Sequence, residues 1–315
     1  MRKILLVVGL LALCPGANAD TFAAAQAHRF AADAEAFARE SERLVPALQA
    51  VCDAPATEAE AALGQARRQW LASLAAWERL SAVAIGPLLT RRSQRQIDFL
   101  PTRPRLIEKA VRAAPADAAA MERIGTPAKG LPALEWLLWV KTIQPASPAC
   151  GYAVLVAEEV AREAAALAAA PLTLEPGELL NQWVGGIERL RWSNLEMPAR
   201  VALTSEGRQA PEFPRRASGA TAASWAAQWA TLRDWAVAGA GSLESALRAR
   251  GQDETAVALA RAVEQTDVAM RGLDTEDTGR LLTAAKALAD LKQLVENRVA
   301  PGLGVSIGFS DADGD

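Results

Sequence analysis

The sequence predicts an all-α fold built from antiparallel helical bundles. Hydrophobic residues make up 51% of the 315 positions, but the chain has one tyrosine and six phenylalanines, so strands have little to build with. Alanine, leucine, arginine and glutamate, which favour helices, are abundant. Apolar residues recur at helical spacing, and no pair of segments has the turn chemistry of a β-hairpin.

Residues 1–19 have the pattern of a secretory signal peptide. Two basic residues precede a short apolar run, and Ala17-Asn18-Ala19 forms an A-x-A site, so we expect cleavage after Ala19. The run is too short for a stable transmembrane span, and no other segment could form one. Cys14 raises the alternative of a lipid anchor, although Leu13 stands where a lipobox needs a small residue. A buried N-terminal helix is the other alternative.

Removal of the signal peptide would leave two cysteines, Cys52 and Cys150. An even number of cysteines in an exported chain predicts one disulfide, which would tie the first helix to a segment almost a hundred residues later. Two buried free thiols are the alternative.

Helical periodicity and breaker residues divide the mature chain into a series of helices. The predicted helices are 21–52, 57–80, 104–112, 130–141, 152–169, 176–196, 221–249, 254–271 and 276–299. Thr57 with Glu60 is a capping box at the start of the second helix, and Gly86-Pro87 terminates it.

The segment 200–219 is rich in proline, glycine and serine, and it divides the helices into two sets. We therefore expect an N-terminal bundle over 20–199, a connecting loop over 200–219, and a C-terminal bundle with a tail over 220–315. RRQWLASLAAWERL (67–80) and SWAAQWATLRDWAV (224–237) place tryptophans similarly on one helix face. An internal duplication would explain this similarity between the two segments, and so would a shared amphipathic composition.

Charge and histidine content exclude several classes of function. The formal net charge is -3, from 34 basic and 37 acidic residues, so nucleic acid and anionic membrane surfaces are not expected partners. The single histidine, His28, rules out sites with two or three histidine ligands, including zinc peptidases of the HExxH class. We expect His28 on a helix surface. Any metal site would use mainly oxygen ligands, which suit hard cations such as ferric iron, Ca²⁺ or Mg²⁺ better than zinc.

Glu135 is the strongest single site candidate. It lies in the apolar run GLPALEWLLW (130–139), where a carboxylate must be paired, bound to a metal or protonated. One hypothesis makes Glu135 a ligand-binding or metal-binding residue. The alternative is a structural ion pair with Arg95 or Arg103.

The arginine-rich segment RRSQRQIDFLPTRP (91–104) is the second candidate. Arg95 and Asp98 are spaced to pair on one helix face, and one hypothesis is that this segment helps to hold an anionic ligand. A solvated basic face is the alternative.

Four stretches in this order resemble the imelysin family, a peptidase M75-type family, in its periplasmic imelysin-like branch. They are WLASLAAWERL with IGPL (70–88), QIDFLP with the arginines before it (92–101), GLPALEWLL (130–138) and LGVSIGFSDADGD (303–315). The resemblance implies two helical-bundle subdomains with a site between them, and an association with iron uptake. The family motif Gly-x-His-x-x-Glu matches Gly130, Pro132 and Glu135, so proline replaces the histidine. This departure puts any mechanism that needs the His-Glu pair in doubt.

The leading hypothesis is an exported, periplasmic, non-catalytic protein linked to iron or heme acquisition. It would bind an iron-related or heme-related ligand, or an envelope protein partner, between its bundles through Gly130, Glu135, Arg95, Asp98 and Arg103. Iron is the expected cofactor if there is one, with Glu135 as a ligand. One alternative is a metallopeptidase that uses Glu135 as its base. The other is a structural envelope protein in which Glu135 is a buried ion pair.

Overall fold

The computed structural model describes residues 16–204 and 212–308. Most of the predicted signal peptide, including Cys14, lies outside these residues. So do residues 205–211 of the predicted connecting loop and the acidic end of the tail. The described residues contain helices and no strand, which confirms the all-α prediction.

The described residues form fifteen α-helices. They are α1 (Gly16–Asp53), α2 (Ala59–Ser81), α3 (Pro87–Thr90), α4 (Ser93–Ile97), α5 (Pro104–Ala113), α6 (Ala118–Met121), α7 (Gly130–Glu135), α8 (Pro148–Ala169), α9 (Pro176–Glu188), α10 (Met197–Thr204), α11 (Thr221–Val237), α12 (Leu243–Arg248), α13 (Asp253–Met270), α14 (Thr278–Leu294) and α15 (Ala300–Leu303). A 3₁₀ turn spans Thr126–Ala128, and π-helical segments span Trp136–Val140, Arg189–Glu196 and Val295–Val299.

The first group of helices is built around α1, which packs along both α2 and α8. Phe30, Phe37, Leu44 and Leu48 recur on one face of α1 and are buried, because that spacing returns each side chain to the same side of the helix. The helix continues through Pro46 to Asp53. A disulfide joins Cys52 at the end of α1 to Cys150 at the start of α8, as the cysteine count predicts.

The second group of helices contains α9 and α11–α14. Helix α14 packs against α13 and against the π-helical segment Arg189–Glu196, and α11 packs against α13. Helices α9 and α10 also contact α14. The predicted division into 20–199 and 220–315 stays a prediction.

The two groups meet where α2 packs against α11, and this junction positions the site described below. Three local details differ from the sequence prediction. Thr57 does not cap α2, whose N-cap is Glu58. Helix α10 continues to Thr204, into the predicted loop. The predicted helix 221–249 is broken between α11 and α12, where Gly239 and Gly241 have positive φ. Within the described residues, no helix has the length and apolar character needed to cross a membrane.

Candidate functional site

A cavity of about 950 Å³ lies between the two groups of helices. Its walls come from the end of α2, the segment 94–104 and α7 on one side. On the other side they come from the segment 189–201, the turn 212–217 and α11. Two of the π-helical segments, Trp136–Val140 and Arg189–Glu196, border this cavity. Such segments occur often at functional sites.

Glu135 reaches the cavity because α7 passes very close to the backbone of α4. Gly130 begins α7 with φ of 74°, and a Cβ built there would lie 2.3 Å from the carbonyl oxygen of Ile97. A larger residue would push α7 away from α4. Gly130 does not line the cavity, so the structure gives it a backbone role.

The Glu135 carboxylate holds the turn that follows residue 211. Oε1 accepts a hydrogen bond from the Ser218 backbone N–H at 2.9 Å and another from the Ser218 hydroxyl at 2.7 Å. Glu135 is 4% exposed, so these two charge-assisted bonds replace its hydration. Among the described residues, no donor is bonded to Oε2.

The same turn places Arg215 between two carboxylates. Its Nε and Nη2 each lie 3.3 Å from Glu78 Oε1, and Nη2 donates to Asp98 Oδ2 at 2.5 Å. Arg215 is 2% exposed and has φ of 64°, which non-glycine residues rarely adopt. A buried guanidinium in this conformation requires strong partners.

Further hydrogen bonds fix these carboxylates. The Trp77 indole N–H donates to Asp98 Oδ2 at 3.0 Å, and Gln228 Nε2 donates to Glu78 Oε2 at 2.7 Å. Asn194 Nδ2 in turn donates to Gln228 Oε1 at 3.0 Å. Helices α2 and α11 and the segment Arg189–Glu196 are therefore tied together beneath the cavity.

Burial and neighbouring charges shift the pKa values of the buried ionisable groups in opposite directions. Burial raises the pKa of Glu78 above its ordinary value of 4.5, although Arg215 and Gln228 lower it in part. Burial lowers the pKa of Arg215, but Asp98 and Glu78 raise it by more, so the net shift is upward. Burial also lowers the pKa of Arg189, which donates to the carbonyl oxygens of Ser81 and Ala82.

Two buried atoms in this cluster have no hydrogen-bond partner among the residues that the structure describes. They are Oδ1 of Asp98 and Nη1 of Arg215, and both residues line the cavity. An unsatisfied buried donor or acceptor costs about 1–3 kcal/mol. A third buried atom of the cavity lining, Ser224 Oγ, also has no hydrogen-bond partner among the described residues.

The structure brings together some of the predicted site residues and separates the others. Glu135 and Asp98 line the cavity. Arg95 is exposed and lies over the Phe99 ring, and Arg103 is also exposed; neither lines the cavity. Within the described part of the chain, Glu135 forms no ion pair with either arginine. The predicted Arg95–Asp98 pair is likewise not formed, because Asp98 pairs with Arg215.

The sequence reasoning missed three charged residues of the site: Glu78, Arg215 and Arg189. The sequence could have indicated that Glu78 is buried, because it follows Trp77 on a helix whose apolar face is buried. Arg215 lies in a breaker-rich segment without periodicity, so no pattern predicts its burial.

The described residues contain no group of three or more histidine, cysteine, aspartate or glutamate side chains arranged to hold a metal ion. In the charged cluster, Arg215 lies where a cation between Glu78 and Asp98 would lie. The metal role of Glu135 stays a prediction.

Comparisons with known proteins identify a matching family and two similar solved structures. The family model Peptidase_M75, imelysin, matches residues 30–300. A crystal structure of an imelysin-like protein from Psychrobacter arcticum 273-4 superposes with a TM-score of 0.77 at 17% identity, covering 96% of this chain and 100% of that one. A putative iron-regulated protein A precursor from Parabacteroides distasonis ATCC 8503 gives a TM-score of 0.68 at 14% identity, covering 90% of this chain and 94% of that one. A search of curated proteins found no match.

Proposed function

We propose a binding function for this chain, which belongs to the imelysin family. The protein is exported to the periplasm, is not an enzyme, and binds a ligand or the side chain of a partner in the cavity between its helical groups. Its role is linked to iron or heme acquisition. The iron link is supported by the structural relative named an iron-regulated protein precursor.

The observation that carries the binding role is the cavity floor. Arg215 is hydrogen-bonded there to Glu78 and Asp98, yet Asp98 Oδ1 and Arg215 Nη1 have no partner within the described part of the chain. A cluster that served stability alone would gain from satisfying these two atoms. A cavity of about 950 Å³ beside them is of the size that binds small organic molecules.

Two features support binding rather than catalysis. Pro132 stands at the histidine position of the family motif, is buried in the first turn of α7, and has no ligand atom or transferable proton. Glu135 uses Oε1 to hold Ser218, so its carboxylate positions the Arg215 turn. The same oxygen also accepts the Ser218 backbone N–H, so the carboxylate anchors the backbone of that turn.

The test is a calorimetric and thermal-shift titration of residues 20–315 with ferric iron, ferrous iron and heme. Glu135→Gln keeps an acceptor oxygen for Ser218 but removes the charge. The matched control is Glu163→Gln, because Glu163 also accepts from a serine hydroxyl, that of Ser93, but lies outside the cavity. We expect saturable stabilisation by one of the probes, weakened in Glu135→Gln and unchanged in Glu163→Gln.

Other outcomes would replace this proposal. No stabilisation by any probe, in a protein that is folded, would favour a structural envelope protein. Proteolysis by the purified protein, abolished by a chelator and by Glu135→Gln, would establish the metallopeptidase alternative.

A further inference from the structure

The positive charge of this chain is unevenly distributed along the sequence. Residues 91–112 contain seven basic and two acidic residues, a formal charge of +5 within a chain whose net charge is -3. Net charge describes the whole molecule, so a value near zero does not exclude an anionic partner for one part of its surface. The stretch 91–112 is therefore the place to look for such a partner.

The acidic side chains in and beside this stretch are already engaged. Each has an arginine partner: Asp98 with Arg215, Glu108 with Arg112 and Glu163 with Arg91. Five other basic residues are exposed, and among the described residues their side chains have no hydrogen bond or ion pair: Arg92, Arg95, Arg103, Arg105 and Lys109. These five charges are available to an anionic partner.

The stretch 91–112 runs along α8. Helices α4 and α5 both pack against α8. Arg91, at the start of the stretch, pairs with Glu163, and Arg112, at its end, borders a pocket together with Ala149 at the start of α8. Because an α-helix rises about 1.5 Å per residue, Glu163 and Ala149 lie about 21 Å apart along α8. The cations are therefore spread over an extended surface and do not form a compact anion site.

The exposed face of α5 combines basic and apolar side chains. Arg105 and Lys109 are exposed and lie one turn apart, whereas Ile107 and Ala110 on the inner face are 0% and 3% exposed. Leu106, next to Arg105, is 44% exposed. Helix α5 is therefore anchored to the protein by its apolar face, and its outer face is basic and includes a leucine.

We propose that the basic face, formed by Arg92, Arg95, Arg103, Arg105, Lys109 and Leu106, binds the anionic head groups of a lipid surface. Clusters of about four to eight basic residues on an amphipathic helix are typical of such binding. A lipid surface matches both parts of this face, because phosphates face the cations and the interfacial region takes the leucine. An acidic polypeptide would match the charges only. None of these six residues lines the cavity, so the proposal is independent of the cavity ligand.

The test is sedimentation of residues 20–315 at low salt with vesicles of phosphatidylglycerol and phosphatidylcholine in equal parts. This chain lacks Cys14, so a lipid chain on that residue cannot contribute. We expect binding to these vesicles, release at high salt, and no binding to vesicles of phosphatidylcholine alone.

Two pairs of substitutions show whether the basic face is responsible. Arg105→Gln with Lys109→Gln should weaken vesicle binding roughly twenty-five-fold, because each basic residue near an anionic surface contributes about fivefold. The matched control is Arg261→Gln with Arg298→Gln. It removes two exposed cations of the second group of helices that also lack an ion pair among the described residues. The control pair should leave binding nearly unchanged.

Leu106→Gln separates a lipid surface from an acidic polypeptide. Glutamine favours helices as leucine does, so the substitution removes the apolar contact and keeps α5. We expect vesicle binding to weaken roughly threefold, while binding to a hexaglutamate peptide does not change. Equal vesicle binding by wild type and Leu106→Gln would overturn the assignment of Leu106 to the lipid contact.

The other outcomes are equally distinct. Absence of binding to the anionic vesicles, equal binding to phosphatidylcholine alone, or equal losses in the two pairs of substitutions would overturn the proposal. Binding to hexaglutamate without binding to vesicles would assign the basic face to an acidic protein instead. Iron and heme titrations of the same variants should match wild type, because the cavity is untouched. Failure of vesicle binding would therefore leave the proposed function standing, and failure of iron and heme binding would leave the lipid contact standing.

Discussion

Two tryptophan–aspartate–arginine arrangements in this protein use the same chemistry in different surroundings. In the first, which we call the inner cluster, Trp77 of α2 donates to Asp98 at 3.0 Å and Arg215 pairs with Asp98 at 2.5 Å. In the second, the outer cluster, Trp229 of α11 donates to Asp267 at 3.0 Å.

The outer cluster has its own arginines. Arg271 lies 3.1 Å from Asp267 and Arg233 lies 3.5 Å from it. The side chain of Arg233 is 43% exposed and that of Arg271 is 73% exposed, whereas that of Arg215 is 1% exposed. Burial, and not residue identity, is what distinguishes the two clusters. Water can replace any partner in the outer cluster, but in the inner cluster a missing partner leaves an uncompensated charge.

Removal of the central arginine should give the largest difference between the clusters. Arg215→Met leaves Glu78 and Asp98 buried without their cation, and we expect the free energy of unfolding to fall by about 3–5 kcal/mol. Arg233→Met, at the exposed cluster, should cost about 0–1 kcal/mol. Urea unfolding of both variants measures the difference. Equal costs would mean that the two clusters are energetically alike.

Substitutions of Glu135 show whether the inner cluster depends on the turn that carries Arg215. Glu135→Ala removes both bonds to Ser218, and we expect a loss of about 2 kcal/mol, because hydrogen bonds to charged groups contribute about 1.5–3 kcal/mol. Glu135→Gln keeps an acceptor for Ser218 and should cost about half as much or less. Thermal or urea unfolding provides the measurement. A glutamine variant as unstable as the alanine variant would show that charge, and not the turn, is what Glu135 supplies.

The sequence predicts the fold much better than the site. Phe30, Phe37, Leu44 and Leu48 reveal a helix because its periodicity is local, and the pairing of Cys52 with Cys150 follows from their being the two cysteines after the predicted signal peptide. Glu135 is found because a carboxylate in an apolar run is locally conspicuous.

The partners of Glu135 and Asp98 could not be predicted in the same way. Arg215 comes from a segment more than a hundred residues after Asp98, and the turn that carries it has no periodic pattern. Arg95 and Arg103 are closer in sequence and have the right charge, but the segment that carries them leaves both exposed. A site assembled from distant segments depends on tertiary packing, which spacing along the chain does not encode.

Glu78, which also pairs with Arg215 of the inner cluster, and Asp267 of the outer cluster should change stability in opposite directions with pH. Burial raises the pKa of Glu78, so the folded state holds that proton more tightly than the unfolded state. The contribution of Glu78 to the unfolding free energy therefore falls as pH rises from about the ordinary value of 4.5 through its folded pKa. We expect this decrease in wild type and its absence in Glu78→Gln, measured by urea unfolding across that pH range. An unchanged slope in the variant would contradict the upward shift.

The pH dependence of stability that Asp267 contributes has the opposite sign to that of Glu78. Its effect on the free energy of unfolding is the smallest of those predicted here. Burial is the largest single influence and raises the pKa of Asp267, but the hydrogen bonds from Trp229 and Arg271 and the charge of Arg233 together lower it by more. Its stabilisation is present above its ordinary value of 3.8 and is lost as pH falls through the lower folded pKa. Because the cluster is exposed, we expect Asp267→Asn to cost about 0.5 kcal/mol at neutral pH and less at high salt.

Since screening does not reach the inner cluster, the cost of Arg215→Met should hardly change with salt. A salt-sensitive Arg215→Met would mean that water and ions enter the cavity floor, and the distinction between the clusters would then be one of degree.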